Sequence, residues 1–170
     1  FKSVFSITLV VDPAHLAVSN APEVSSQLRG DGKRVVQFAD TMLMSTYLVA
    51  MVVGPLAVTA PVDVDGTPLR IVHIPGKEHL TAFGLDAAAA GLRFFERFYG
   101  IPYPGRKIDL VALADFAAGA MENLGCITFR EALLLIDPES STQAEQQRVV
   151  DVVTHELAHM WFGDLVTMRW

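Results

Sequence analysis

The sequence holds a single cysteine, Cys126, so no disulfide can form within it and nothing in it requires an oxidising compartment. It also lacks any basic cluster. With 13 Lys and Arg against 19 Asp and Glu the net charge is −6, which argues against a nucleic-acid partner. No internal repeat, low-complexity tract or signal peptide is visible. There is no initiator methionine, so a piece of a longer protein is expected. Charge itself is missing from one stretch: residues 41–62 carry none, and Met42 to Ala60 is largely apolar, a length that raises the question of a membrane span. Gly54-Pro55 interrupts that run, and Ser45, Thr46 and Thr59 dilute it. Val49, Val52, Val53 and Val58 suit two buried strands joined at Gly54-Pro55, so no membrane segment is expected in these residues. A cytoplasmic setting follows only from this composition and the lone thiol; an anchor elsewhere in a longer chain would leave no trace here.

What is present supports a packed core, since 51% of the residues are apolar. Val4 to Val11 alternates and is β-branched, as a strand is. Ser19-Asn20-Ala21-Pro22 and Gly30-Asp31-Gly32 are turn chemistry, and Arg34 to Phe38 reads as another strand. Leu69 to Ile74 follows the turn Asp65-Gly66-Thr67-Pro68 as one more. The period then changes. From Leu80 to Tyr99 apolar residues recur three and four apart, and Gly100 stops the helix. Ile108 to Ala114 and Cys126 to Phe129 read as buried strands, with Cys126 acting as a small hydrophobe. Thr142 followed by Glu145 forms a capping box that opens a second helix, expected to run to about Gly163. The order is β first and α+β afterwards, with a domain boundary near residue 70.

That second helix carries His155-Glu156-Leu157-Ala158-His159. Positions four apart share a helix face, so His155 and His159 can reach one metal ion. Glu156, beside the first of them, can take a proton from a metal-activated water. Two histidines and a Glu on a surface helix would be the bland reading. The flanks Val149, Val150, Val152, Val153, Leu157, Met160, Trp161 and Phe162 argue instead for a buried helix, where unpartnered polar groups are costly and a metal is the obvious partner. The metzincin pattern would need Gly at 162 and His at 165; Phe162 and Leu165 exclude it. A catalytic zinc normally uses three protein ligands, and only two are in view. Asp164 lies five positions beyond His159, about 140° around a helix, a poor third. His15, His73 and His79 bear no spacing relation to the motif and read as ordinary loop or strand residues.

About thirty residues upstream lies Gly119-Ala120-Met121-Glu122-Asn123. On its own it reads as a turn with an exposed Glu, or as a close-approach backbone with a fixed negative charge near the metal.

Together the two motifs resemble the paired signature of the zinc aminopeptidases of the aminopeptidase N type, members of the gluzincins. Supporting similarity runs through Phe5-Ser6-Ile7-Thr8-Leu9, Met44-Ser45-Thr46-Tyr47-Leu48-Val49-Ala50, Ile101-Pro102-Tyr103-Pro104 and Trp161-Phe162-Gly163-Asp164-Leu165-Val166-Thr167, and so covers nearly the whole chain. The resemblance implies an α+β chain. Residues 1–69 would be the C-terminal part of an all-β N-terminal domain, and residues 70–170 the first part of a thermolysin-like catalytic domain. It implies a zinc-dependent hydrolase that removes N-terminal residues from peptides with a free N-terminus. His155 and His159 would be zinc ligands and Glu156 the general base. Glu122 would pair with the substrate α-amino group, while Gly119 and Ala120 would hold the peptide as an added strand, with Met121 and Asn123 completing the substrate-binding motif. A third zinc ligand, a Glu, would fall at position 178 and a transition-state Tyr further on, so the chain by itself is expected to be inactive. Two other readings stay open. One branch of the family also hydrolyses an epoxide lipid, but carries Gly where this chain has Ala120. Non-catalytic scaffolds on the same fold have lost the ligands or the base, and His155, Glu156 and His159 are all present here.

Overall fold

The computed structural model describes residues 1–169; Trp170 lies outside them. The first part of the chain forms ten strands: β1 (Lys2–Ser3), β2 (Thr8–Val11), β3 (Leu16–Ser19), β4 (Glu23–Leu28), β5 (Arg34–Phe38), β6 (Met44–Ser45), β7 (Met51–Gly54), β8 (Ala57–Val58), β9 (Val62–Val64) and β10 (Thr67–His73). Then come α1 (Ala82–Tyr99), β11 (Ile108–Leu113), β12 (Ala120–Met121), β13 (Cys126–Arg130) and α2 (Gln143–His159). The chain is α+β, with strands first and both helices afterwards.

The central sheet runs in the order β12-β13-β11-β10-β8, with β9 also pairing β10. Its middle strands are parallel: Leu69–Val72 face Ile108–Val111, and Asp109–Leu113 face Cys126–Arg130. A parallel pair needs a crossover, and α1 supplies the one between β10 and β11. Both faces of these strands are therefore covered. Leu69, Ile71, Ile108, Leu110, Ile127 and Phe129 point into the main core beneath the helices, while Val72, Val111 and Cys126 join Val18 and Ala50 in a second cluster on the opposite face. Residue 70 falls inside β10, so residues on either side of the change in sequence pattern share one sheet.

Three expectations are corrected. The strand foreseen over Val4 to Val11 is shorter: only Thr8–Val11 pairs with β5, and a separate strand before it, Lys2–Ser3, pairs with β6. Between them Phe5 exchanges hydrogen bonds with Thr41, and the chain passes from one sheet to the next. The two strands of the uncharged run exist but are not buried as expected: Met51, Val53 and Val58 are exposed. β7 pairs with β3 and β8 with β10, so Gly54-Pro55 is a transfer between sheets, not a hairpin. The second helix is not buried all round. Gln143, Glu145, Gln147, Arg148, Asp151 and His155 are exposed, while Val149, Val153, Glu156 and Leu157 form one buried stripe. The helix also stops at His159 instead of Gly163, and the next residues close tight turns.

The ends of the helices follow the side chains that cap them. Gly100 closes α1 in the left-handed conformation, φ 66°, its N–H bonding the Glu96 carbonyl. Thr142 and Glu145 form the foreseen capping box at the start of α2: Glu145 N–H donates to Thr142 Oγ1 (3.3 Å) and Thr142 N–H to Glu145 Oε2 (2.8 Å). Gly91 lets α1 approach the turn of α2 that carries the histidines; a Cβ there would lie 3.1 Å from Thr154 Cγ2.

Candidate active site

The last turn of α2 sets His155 and His159 side by side. Their rings stand nearly perpendicular, with Nε2 atoms 3.2 Å apart. Two imidazole nitrogens bound to one tetrahedral zinc at 2.0–2.1 Å would be about 3.3 Å apart, so this pair already has the spacing of a shared ion. The tautomer of His159 fits as well. Its Nδ1 lies 3.1 Å from the Phe162 carbonyl, which can only accept, so Nδ1 carries the proton and Nε2 keeps its lone pair. That contact depends on the turn after the helix. Gly163 sits at φ 135°, and a Cβ there would come 3.1 Å from His159 Nδ1.

Glu156 turns the other way from the exposed His155 and is buried. Burial, and then the charge of Glu122, push its carboxyl up to about 7, against a weaker pull from His159. Glu122 arrives from the opposite side of the site, just after β12. One ligand atom each of Glu122, Glu156 and His159 lie within 4.8 Å of one another. Two carboxylates and one imidazole thus come together, with His155 beside His159, a donor set suited to a divalent metal or a cationic group. The wider cavity, about 780 Å³, is bordered by Lys2, Tyr47, Glu122, His159, Phe162 and Met168.

The residues of the upstream motif divide between cavity and wall. β12 is an end strand of the central sheet: Ala120 and Met121 pair with Phe129 and Thr128 on one side, and Gly119 C=O accepts from Arg130 N–H. Among the described residues the other side of β12 has no strand beside it, the arrangement that extended peptides use to add themselves to a sheet. Ala120, Met121 and Glu122 are half-buried, while Gly119 is exposed. Asn123 is different. It is buried, with Nδ2 donating to the Leu48 carbonyl (3.3 Å) and Oδ1 accepting from Thr128 Oγ1 (3.1 Å), so its amide is engaged within the protein.

Three neighbours were not foreseen as site residues. Tyr47, from the short helical turn Thr46–Leu48, places its Oη 3.3 Å from Glu122 Oε1. Lys2 donates to the carbonyls of Asp164 (2.7 Å) and Leu165 (3.0 Å) and so ties β1 to the turn after α2. Asp164 is fully buried, and neither carboxylate oxygen has a partner among the described residues. Burial first, and then Glu122, push its carboxyl up to about 8, with Lys2 opposing. No periodicity marks these three; each reaches the site through the fold.

Comparison with known proteins agrees with this geometry. Residues 83–170 match the Peptidase family M1 domain, and residues 1–48 the Peptidase M1 N-terminal domain. The chain is 46% identical over 170 residues to Aminopeptidase M1-A of Oryza sativa subsp. japonica, covering 100% of this chain and 19% of the relative. It is 46% identical over 168 residues to Aminopeptidase 2 of Candida albicans (strain SC5314 / ATCC MYA-2876), covering 99% and 18%. To Endoplasmic reticulum aminopeptidase 1 of Homo sapiens it is 42% identical over 170 residues, covering 100% and 18%. It thus spans about a fifth of the length of these relatives. A match over more than half the chain, on a site that joins an HExxH helix to a sheet-edge Glu, makes the chain a member of peptidase family M1.

Proposed function

We propose that the protein is a zinc-dependent aminopeptidase, hydrolysing the N-terminal peptide bond of peptides. The observation that carries this is the convergence of the His155–His159 pair with Glu122 and Glu156 beside the free side of β12. In this reading His155 and His159 hold zinc through Nε2, with a third ligand from outside these residues. When bound, zinc supplies a Lewis acid that polarises the scissile carbonyl and acidifies water. Glu156 takes a proton from the attacking water and returns it to the leaving amine. Its burial suits that task, since a carboxylate of raised basicity is a better proton acceptor. Gly119, Ala120 and Met121 align the peptide as an extra strand along the edge of β12 that faces away from β13. Glu122 then meets the α-ammonium group, which restricts cleavage to the first residue. Asn123 serves from behind, holding the Glu122 loop against Leu48. The division into an N-terminal β domain and a catalytic domain near residue 70 belongs to the same proposal.

The test is hydrolysis of an alanyl anilide with a free amine against its N-acetylated twin, using the full-length protein. Cleavage of the free form alone, abolished by a chelator, is the expected result. Cleavage of both would remove the role given to Glu122. Cleavage of neither by zinc-loaded protein would favour a non-catalytic scaffold.

A further inference from the structure

Tyr47 sits in the middle of the 22-residue uncharged stretch between Asp40 and Asp63, the only residue there with a titratable side chain. The fold brings its hydroxyl to a residue 75 positions away, Glu122. The contact itself is exposed, with Tyr47 51% accessible, but the backbone beside each of its two residues is held by buried hydrogen bonds. The Leu48 carbonyl, one residue after Tyr47, accepts from Asn20 Nδ2 (2.8 Å) and from Asn123 Nδ2 (3.3 Å). The same Asn20 amide donates to the Leu124 carbonyl (2.8 Å), and its Oδ1 accepts from Ala50 N–H (2.9 Å). Asn20 therefore stitches the turn carrying Tyr47 to the residues that follow Glu122, and the Leu48 side chain is fully buried beneath it. Buried amides satisfied at both ends define one geometry, because any displacement would strand a desolvated polar group.

Burial, with the charges of Glu122 and Asp164, raises the Tyr47 phenol above its ordinary pKa, so it stays protonated and donates to the carboxylate. A carboxylate has two oxygens, and the contact engages only Oε1. We propose that Tyr47 is a positioning residue for the amine site: its hydroxyl holds Glu122 Oε1 and leaves Oε2 directed at the substrate α-ammonium group. This inference rests on the aminopeptidase reading. It adds a residue that acts through Glu122 and does not touch the scissile bond.

The experiment is a double-mutant cycle in the full-length, zinc-loaded enzyme, with Tyr47→Phe, Glu122→Gln and the pair together, on an alanyl anilide with a free amine. Phenylalanine keeps the ring and removes only the hydroxyl. The expected result is a five- to tenfold rise in KM for Tyr47→Phe, about the loss of one hydrogen bond of ordinary strength, with kcat within twofold. Zinc content and melting temperature should match the parent, and Tyr47→Phe should add nothing in the Glu122→Gln background. An unchanged KM, or the same rise in both backgrounds, overturns the proposal. If the parent enzyme cleaves the N-acetylated twin equally well, the aminopeptidase reading itself falls and takes the proposal with it. If the parent demands a free amine while Tyr47→Phe is silent, only the assignment of Tyr47 falls.

Discussion

At the scale of single residues, the site depends on groups whose neighbours leave them one job. Glu156 is buried between the two histidines in sequence and faces Glu122 in space. Replacing it by glutamine keeps the shape and removes the proton acceptor. Glu156→Gln is expected to retain zinc and lose about 10³-fold in turnover, the scale of a general base. Zinc content by atomic absorption beside kcat decides it, and an active variant would remove the base role. Gly163 makes a second case. Its φ of 135° disfavours any side chain, and a Cβ would press on His159 Nδ1, the atom that fixes the tautomer of this proposed ligand through Phe162. Gly163→Ala is expected to weaken zinc binding about tenfold, as loss of a supporting hydrogen bond to a metal-ligating histidine does. Competition with a chromogenic chelator measures this; unchanged affinity would mean that the turn does not orient His159. Both positions were open to sequence reading in unequal measure. Glu156 stands inside its motif, whereas Gly163 gains its meaning only from where the turn folds back.

At the scale of elements, α2 shows what a short motif can and cannot announce. The capping box at Thr142 and Glu145 was legible because both partners lie within one turn of chain. The Thr142 hydroxyl and then its backbone N–H hold the Glu145 carboxyl below the usual carboxylate range. Thr142→Ala should cost about 1 kcal/mol of stability, read by urea denaturation, with a far smaller effect on zinc binding more than three turns away. A variant as stable as the parent would show that packing alone sets this helix start. The far end of α2 was not legible. Apolar residues from Val149 onward suggested a helix buried on every side, yet α1 and the rest of the core cover one stripe only and leave His155 exposed. Spacing tells which residues share a face; it does not tell how much of the face a neighbour covers. The uncharged run gave the same lesson, since strands there were foreseen while their pairing with β3 and β10 was not.

At the scale of the whole molecule, the β3–β7 layer is joined to the central sheet by one buried polar cluster. Lys107 Nζ donates to Asp109 Oδ2 (2.7 Å), to the Gly125 carbonyl (2.6 Å) and to the Ser19 carbonyl, and Arg70 pairs with the same Asp109. Burial alone would raise the Asp109 carboxyl, but Lys107 and Arg70 outweigh it and hold the group below its ordinary range. A depressed folded-state pKa contributes stability that is present above the unfolded value, near pH 4, and is lost as pH falls further through the folded value. Asp109→Asn should therefore destabilise the protein by about 3 kcal/mol at pH 7, where it strands a buried lysine. The gap in melting temperature between parent and variant should narrow from pH 7 to pH 3. A gap independent of pH would assign the stabilisation to shape instead of charge.

What the sequence determined by itself was local and periodic: the strand over Arg34–Phe38, the helix closed by Gly100, the capping box, the histidines one turn apart, and the pairing of two motifs that pointed to the family. These are legible because their interactions close within a few residues or repeat with a fixed period. Only the tertiary structure decided that Tyr47 meets Glu122, that Asn123 is engaged in the wall of the site, and that, among the described residues, Asp164 is buried without a partner and β12 has a strand on one side only. Each of those joins residues far apart in the chain. Which distant groups meet is set by how sheets and helices cover one another, a property of the whole core that no stretch of sequence carries alone.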